Sequence, residues 1–194
     1  MQTALELKSR GIEPVIVERD IELGGKARGW HKLFPSFTPA SDIMRPLADR
    51  IRAERVRCFY GQEVTSIASD GVMLRSGERI PADAVVVATG FTLFDAHRKQ
   101  EYGYGLYDNV ITSVDLERMM NSGKVLLTDG SEPRRIAILH CVGSRDEKVC
   151  QKHCSKVCCI TGVKQAIELK QMFPTADVFN FYMDIRMFGP GYEE

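Results

Sequence analysis

The sequence predicts an α/β fold, and three observations carry that prediction. Residues 135–183 read as strand, helix, strand at the spacing of a βαβ unit. Ala84-Val85-Val86-Val87-Ala88 is the continuous apolar run of a buried parallel strand, closed by Thr89-Gly90. Between Glu63 and Ile80, short apolar segments separated by Ser69-Asp70-Gly71 and Ser76-Gly77 predict a small antiparallel meander.

Taken in order, residues 2–10 carry Ala4, Leu5 and Leu7 among charges and stop at Gly11, the pattern of a helix. Val15-Ile16-Val17-Glu18 is a β-branched run ending in an acid, followed by a Gly24-Gly25 loop. Residues 41–54 predict a helix with Ile43, Leu47 and Ile51 spaced by four, although Pro46 opposes its early turns. Residues 56–60 are strand-like, and the meander takes up 63–68, 72–75 and 78–80. After the 84–88 strand comes a looser region with Tyr102-Gly103-Tyr104-Gly105. A helix is expected from Thr112, where Asp115 three residues later completes a capping-box pattern. Residues 135–140 predict a strand, 155–172 a helix ended by Pro174, and 177–183 a further strand.

Lysine plus arginine equals aspartate plus glutamate at 26 each, so the basic face that a nucleic-acid partner asks for is not expected. The 84–88 run is far short of the roughly 20 apolar residues that span a bilayer. The opening MQTALELKSRG has no charged segment leading into an apolar one, so no secretory signal is read there. A cytoplasmic, reducing location is the expectation, and there clustered cysteines are more often metal ligands or redox centres than disulfides.

Five of the six cysteines fall in CVGSRDEKVCQKHCSKVCC, residues 141–159. Cys141 follows a predicted strand directly, and Cys154, Cys158 and Cys159 stand at the opening of the next predicted helix, spaced C-x12-C-x3-C-C. Four apart, Cys154 and Cys158 would share a helix face, with Cys159 about 100° round the axis. Four converging thiolates suit an iron–sulfur cluster, whose negative charge a helix N-terminus favours. The same residues admit other readings. Zinc takes four cysteines, or three with a histidine such as His153 or His140. Disulfides need an oxidising compartment, and free cysteine is also a common core residue. A redox pair of Cys150 and Cys154 would be C-x3-C rather than C-x-x-C.

An acid closing a strand of a dinucleotide-binding unit accepts hydrogen bonds from ribose hydroxyls, and Glu18 occupies such a position. Gly24-Gly25 and Ala88-Thr89-Gly90 are small where a cofactor would pass closely. Together VIVERDIELGGK and VVVATG resemble flavoproteins of the thioredoxin reductase and disulfide reductase type, which have a two-dinucleotide-binding, Rossmann-type fold. That resemblance implies FAD, with Glu18, Arg19, Gly24, Gly25, Lys26, Val64, Ala88, Thr89 and Gly90 near it. The first strand and G-x-G-x-x-G loop of such proteins do not occur in the sequence, and Met1 falls inside the helix that follows that loop. The expectation is either a fragment of a longer chain or a chain whose N-terminal strand and loop come from elsewhere, holding little FAD by itself.

CVGSRD, CSKVCC, AIELK, PTADV, FYMDIR and FGPGYEE, with ATGFTLFD, YGYG and NVITSVDLERMM upstream, resemble the A subunits of the CoB–CoM heterodisulfide reductases. The resemblance implies a 4Fe–4S cluster on Cys141, Cys154, Cys158 and Cys159, with Cys150 a free thiol and Cys58 structural. It implies an FAD-binding lobe over residues 1–112 and a second Rossmann-like lobe over 113–194. In a pyridine-nucleotide enzyme the strand 135–140 would lead into a phosphate loop, and here it leads into cysteines. Electron relay between FAD and the cluster, serving flavin-based electron transfer or bifurcation, is therefore expected, with no side chain acting as a catalytic acid or base. The implied partners are further reductase subunits and an electron-donating hydrogenase, dehydrogenase or ferredoxin. A zinc-stabilised interaction module and a flavin-dependent disulfide reductase are the alternatives.

Overall fold

The computed structural model describes residues 1–189 together with 191 and 192; Pro190, Glu193 and Glu194 of the FGPGYEE segment lie outside them. The elements run α1 (Gln2–Ser9), β1 (Val15–Glu18), β2 (Lys32–Leu33), β3 (Thr38–Pro39), α2 (Ala40–Ala53), β4 (Arg57–Tyr60), β5 (Val64–Ala68), β6 (Gly71–Leu74) and β7 (Arg79–Pro81). They continue with α3 (Ser113–Asn121), β8 (Arg135–Leu139), α4 (Cys158–Met172) and β9 (Asp177–Phe181). This mixed order makes the class α/β. Two compact units form, Met1–Gly29 with Pro39–Phe91, and Trp30–Thr38 with Thr92–Glu194. Among the described residues no helix is long and apolar enough to cross a membrane.

In the first unit, β1 and β4 pair in parallel, Val15 to Glu18 opposite Arg57 to Tyr60. Leu5 of α1 and Ile51 of α2 close over Leu23 and Val56 to make its core, joined by Ile16, Leu47 and Cys58. Pro46 lies inside α2 and removes one backbone donor, and the carbonyl it would have met belongs to exposed Asp42, where water can serve. The meander β5-β6-β7 is antiparallel throughout. Gly71 opens β6 at φ 141°, and a Cβ there would stand 2.9 Å from the Pro81 Cα of the neighbouring strand. Only glycine fits that approach.

One predicted strand is corrected here. Residues 84–88 adopt no strand, and Val86 and Val87 are 64% and 66% exposed. An apolar β-branched run becomes a buried strand only when neighbours pair with its backbone and cover both faces. Among the described residues no strand pairs with this one.

In the second unit, β8 and β9 pair in parallel, Arg135 to Leu139 opposite Asp177 to Phe181, with α4 as the crossover. Ile136, Ile138 and Val178 face a core of Leu116, Met120, Val125 and Leu169. Thr112 caps α3 as its sequence pattern predicts: Thr112 Oγ1 accepts from Asp115 N–H at 3.2 Å, and Asp115 Oδ2 accepts from Thr112 N–H at 3.0 Å. Between α3 and α4 lies a buried charge network absent from the sequence-based expectations. Lys164 Nζ donates to Glu117 at 2.6 and 2.8 Å and lies 3.1 Å from Glu168 Oε2. Gln165 Nε2 and His31 N–H also donate to Glu117, at 2.7 and 2.8 Å, and His31 Nδ1 meets Glu168 at 2.7 Å.

A second correction concerns α4. It begins at Cys158, not at 155, so Cys154 does not share a helix face with Cys158. Lys156 sits at φ 62°, outside the right-handed helical region, and Ser155 N–H donates to Ser144 Oγ at 2.9 Å. That bond draws residues 154–156 onto the preceding loop instead of into the helix.

Candidate metal centre

Strand β8 delivers the chain to His140, whose N–H donates to Phe181 O at 2.9 Å and extends the ladder by one step. Cys141 then turns away at φ 61°. Ser144 ties the loop that follows: Ser144 Oγ donates to His153 O at 3.1 Å while accepting from Ser155 N–H. Beyond it Asp146 and Gln151 form a two-residue antiparallel bridge around a short turn, Glu147–Val149. Cys150 stands exposed at the end of that turn. None of the six cysteines is in a disulfide.

The other loop cysteines return toward the start of α4. Cys158 Sγ lies 4.0 Å from Cys141 Sγ. A ring nitrogen of His140 and the sulfurs of Cys158 and Cys159 all lie within 4.8 Å of one another. Cys159 is buried, its sulfur 3.9 Å from Asp184 O. Cys154 Sγ accepts from Lys156 N–H at 3.4 Å and is near enough for its charge to act on Cys159 and Arg145. Arg145 pairs with Asp184, which also accepts from Arg186 Nε at 2.8 Å.

These surroundings split the thiols. The His140 ring beside it brings Cys158 down to about 6 despite partial burial, with Cys141 and Ser155 assisting. Burial pushes Cys141 up to about 11, and the Cys158 charge adds to the rise. Burial also raises Cys159. One thiolate therefore forms readily at neutral pH, and a bound cation would draw out the others. The guanidinium of Arg145 and the N-terminus of the 15-residue α4 both favour negative charge at this place. Thiolate sulfur in this number suits iron–sulfur clusters or zinc.

In the first unit, Glu18 ends β1 with its carboxylate accepting from Asp20 N–H at 3.0 Å, and Arg19 follows it at the surface. Gly24 and Gly25 adopt φ 112° and 51°, opening the short turn Gly25–Gly29. Lys26 Nζ reaches 5.4 Å from the centre of the Phe91 ring, which brings the glycine turn to the end of the Ala88-Thr89-Gly90 segment. Gly90 sits at φ 67° with open space around it. Val64, partly buried, packs against the Val72, Leu74 and Ile80 core of the meander.

No family model matches the chain. Curated proteins do. The chain is 48% identical over 189 residues, 93% of its length, to the A subunit of the ferredoxin:CoB-CoM heterodisulfide reductase of Methanosarcina mazei. It is 37% identical over 192 residues, 95% of its length, to the A subunit of the ferredoxin/F420H2-dependent CoB-CoM heterodisulfide reductase of Methanosarcina acetivorans. The chain is a homologue of part of the heterodisulfide reductase A subunits. Over 122 residues, 60% of its length, it is also 45% identical to a protein of Methanocaldococcus jannaschii named as the iron-sulfur A subunit of this reductase. It spans 19% to 24% of the length of these three relatives.

Sequence reasoning about this heterodisulfide reductase homologue missed the supports of the cysteine loop. Asn180 Oδ1 meets His140 Nε2 at 2.9 Å, and Gly162 leaves room for that ring: a Cβ there would stand 2.5 Å from His140 Cε1. The available signal was a helical glycine one turn after Cys158, a position that otherwise favours alanine.

Proposed function

We propose that this chain is the flavo-iron–sulfur segment of a heterodisulfide reductase A subunit, holding a 4Fe–4S cluster on Cys141, Cys154, Cys158 and Cys159. The observation that carries the reading is the gathering of Cys141, Cys158 and Cys159 at the head of α4, with Arg145 nearby and Cys154 within charge reach. Their donor set fits: sulfur is what such clusters require. When bound, the cluster would carry single electrons, while FAD would take two and release them one at a time. The chain's own residues hold and shield that exchange. Cys159 lies buried against Asp184 O, Arg145 offsets negative charge, and Ser144 fixes the loop from which Cys141 projects.

For the flavin we assign Glu18, Arg19, Gly24, Gly25, Lys26, Val64, Ala88, Thr89 and Gly90, within a thioredoxin-reductase-like lobe over residues 1–112; residues 113–194 form the cluster lobe. Supporting this is the Lys26–Phe91 contact, which joins two glycine-bearing segments, with Glu18 closing a parallel strand just ahead of the first of them. The names of the relatives mention ferredoxin and F420H2. Such carriers, a hydrogenase or dehydrogenase, and further reductase subunits are the partners proposed here, in the cytoplasm.

Anaerobic reconstitution of single Cys→Ser variants tests the ligand set. Cys150→Ser should retain about four irons per chain, while substitution of Cys141, Cys154, Cys158 or Cys159 should lower iron and visible absorbance. Loss of iron in Cys150→Ser with retention in Cys141→Ser would move the first ligand into the loop.

A further inference from the structure

We propose that when no cluster is bound, His140, Cys141, Cys158 and Cys159 take a single zinc ion, in a site that leaves out Cys154. A cubane held by four thiolates has no use for a nitrogen ligand. Yet the donors gathered here include one: the His140 ring nitrogen and the sulfurs of Cys158 and Cys159 lie within 4.8 Å of one another. A tetrahedral ion about 2.3 Å from each sulfur sets neighbouring sulfurs roughly 3.8 Å apart. Cys141 lies outside that mutual set, but its sulfur stands 4.0 Å from Cys158, so a shift of its side chain completes the four.

The histidine is prepared for this role. Its Nε2 faces Asn180 Oδ1 at 2.9 Å, and its Nδ1 is buried without a hydrogen-bond partner. An imidazole that donates Nε2–H to an amide oxygen keeps the Nδ1 lone pair free, the arrangement found behind metal-bound histidines. Gly162 on α4 is the space in which the ring lies, since a Cβ would stand 2.5 Å from Cε1 and 2.7 Å from Nε2. Cys154 is outside the mutually close donor set, and its sulfur accepts from Lys156 N–H before the helix begins. Imidazole with thiolates selects a borderline divalent cation such as zinc. Binding displaces protons from the thiols that are still protonated, with no change in oxidation state. Because three sulfurs are shared, zinc and the cluster exclude each other, and zinc would keep the loop ordered and its thiols capped until iron and sulfide arrive.

The test uses zinc chloride against a competing chelator with the apo 194-residue chain, kept anaerobic. Wild type should bind one zinc. Cys154→Ser should bind it equally well while failing to retain iron on reconstitution, and His140→Phe should do the reverse. Asn180→Leu, which only frees the ring, should weaken zinc roughly 10–100-fold, and His140→Phe should weaken it at least as much. Gly162→Ala displaces the ring without deleting a ligand, and gives the same readout if His140→Phe does not fold. Zinc affinity within about threefold of wild type in both His140→Phe and Gly162→Ala, or loss of zinc in Cys154→Ser, would overturn the proposal, since even an outer-shell loss should exceed that margin. Iron uptake that never occurs in wild type, with this zinc pattern intact, would defeat the cluster reading and leave the zinc site standing.

Discussion

Replacing Lys164 with methionine leaves two carboxylates without their shared cation. The Glu117 and Glu168 side chains are 3% and 1% exposed, and Lys164 Nζ lies within 3.1 Å of both. Glu117 would keep the Gln165 amide and the His31 N–H, and Glu168 would keep the His31 ring. Those donors do not replace a buried positive charge, and none of them reaches Glu168 Oε2, which Lys164 Nζ faces at 3.1 Å. Breaking a buried pair by removing one partner costs about 3–5 kcal/mol, a third or more of the stability of many domains. Urea denaturation should show a lower midpoint with an unchanged slope, and the thermal midpoint should fall by roughly 6–20 °C for a chain of this size. The double variant Lys164→Met with Glu117→Leu should recover about 2 kcal/mol of that loss, because one stranded carboxylate goes with it. A single-variant cost below about 1 kcal/mol, the range of surface pairs, would refute the burial argument. So would strictly additive losses in the double variant.

Other substitutions probe separate links. Thr112→Ala should cost about 1 kcal/mol by removing the acceptor for Asp115 N–H, measured by the same denaturation. Burial tends to raise Asp115, but the Thr112 hydroxyl and N–H outweigh it and hold the carboxyl below its ordinary value. A carboxyl depressed by folding stabilises above its unfolded pKa of about 3.9, and that contribution disappears as pH falls through the lower folded value. The advantage of wild type over Asp115→Asn should accordingly be full at neutral pH and fade below about pH 4. Gly71→Ala should destabilise by about 2–4 kcal/mol, from backbone strain at φ 141° and collision with β7, read as a lower urea midpoint. In the full-length protein, Glu18→Ala should weaken FAD by about 1.5–3 kcal/mol if its carboxylate accepts ribose hydroxyls, and unchanged affinity would remove that role.

Much of the local architecture was legible because it rests on local signals. Period-four apolar residues located α2, Gly71 and Gly77 located the meander turns, and the Thr112/Asp115 pair located the start of α3. What was not legible depends on partners distant in sequence. Whether residues 84–88 form a strand is decided by what pairs with them, and their apolar character says nothing about that. The start of α4 is decided by Ser144, eleven residues before Ser155, capturing a backbone donor that a helix would otherwise use. Lys164, Gln165 and Glu168 read as an ordinary polar helix face, and only the position of Glu117 on α3, forty-seven residues before Lys164, turns that face inward. At the candidate metal centre the cysteine spacing was visible at once. The roles of His140, Asn180 and Gly162 were not, since they meet only when β8, β9 and α4 assemble.

The cysteine loop and the buried network are mechanically one device, because both act through α4. Cys141, Arg145, Cys150 and Lys156 all take positive φ without being glycine. Each such residue costs about 1–2 kcal/mol relative to an ordinary conformation, so the loop does not hold its shape by local preference. Contacts on either side offset that cost. Lys99, 4% exposed, pairs at 2.6 Å with Asp146 at the base of the short turn, and Arg98 donates to Val149 O at 3.3 Å. Ser144 holds the other side through His153 O and Ser155 N–H. The sulfurs of Cys158 and Cys159, however, are aimed by the rotation of α4 about its own axis. Lys164, Gln165 and Glu168 set that rotation through Glu117 and His31, between about 9 and 15 Å along the helix from Cys158. A helix locked there cannot turn its first residues away from Cys141 without pulling a buried cation out of its carboxylates. Strain concentrated in the loop and charge buried behind it thus serve the same end, holding sulfur donors together ahead of any cation that would draw out their protons.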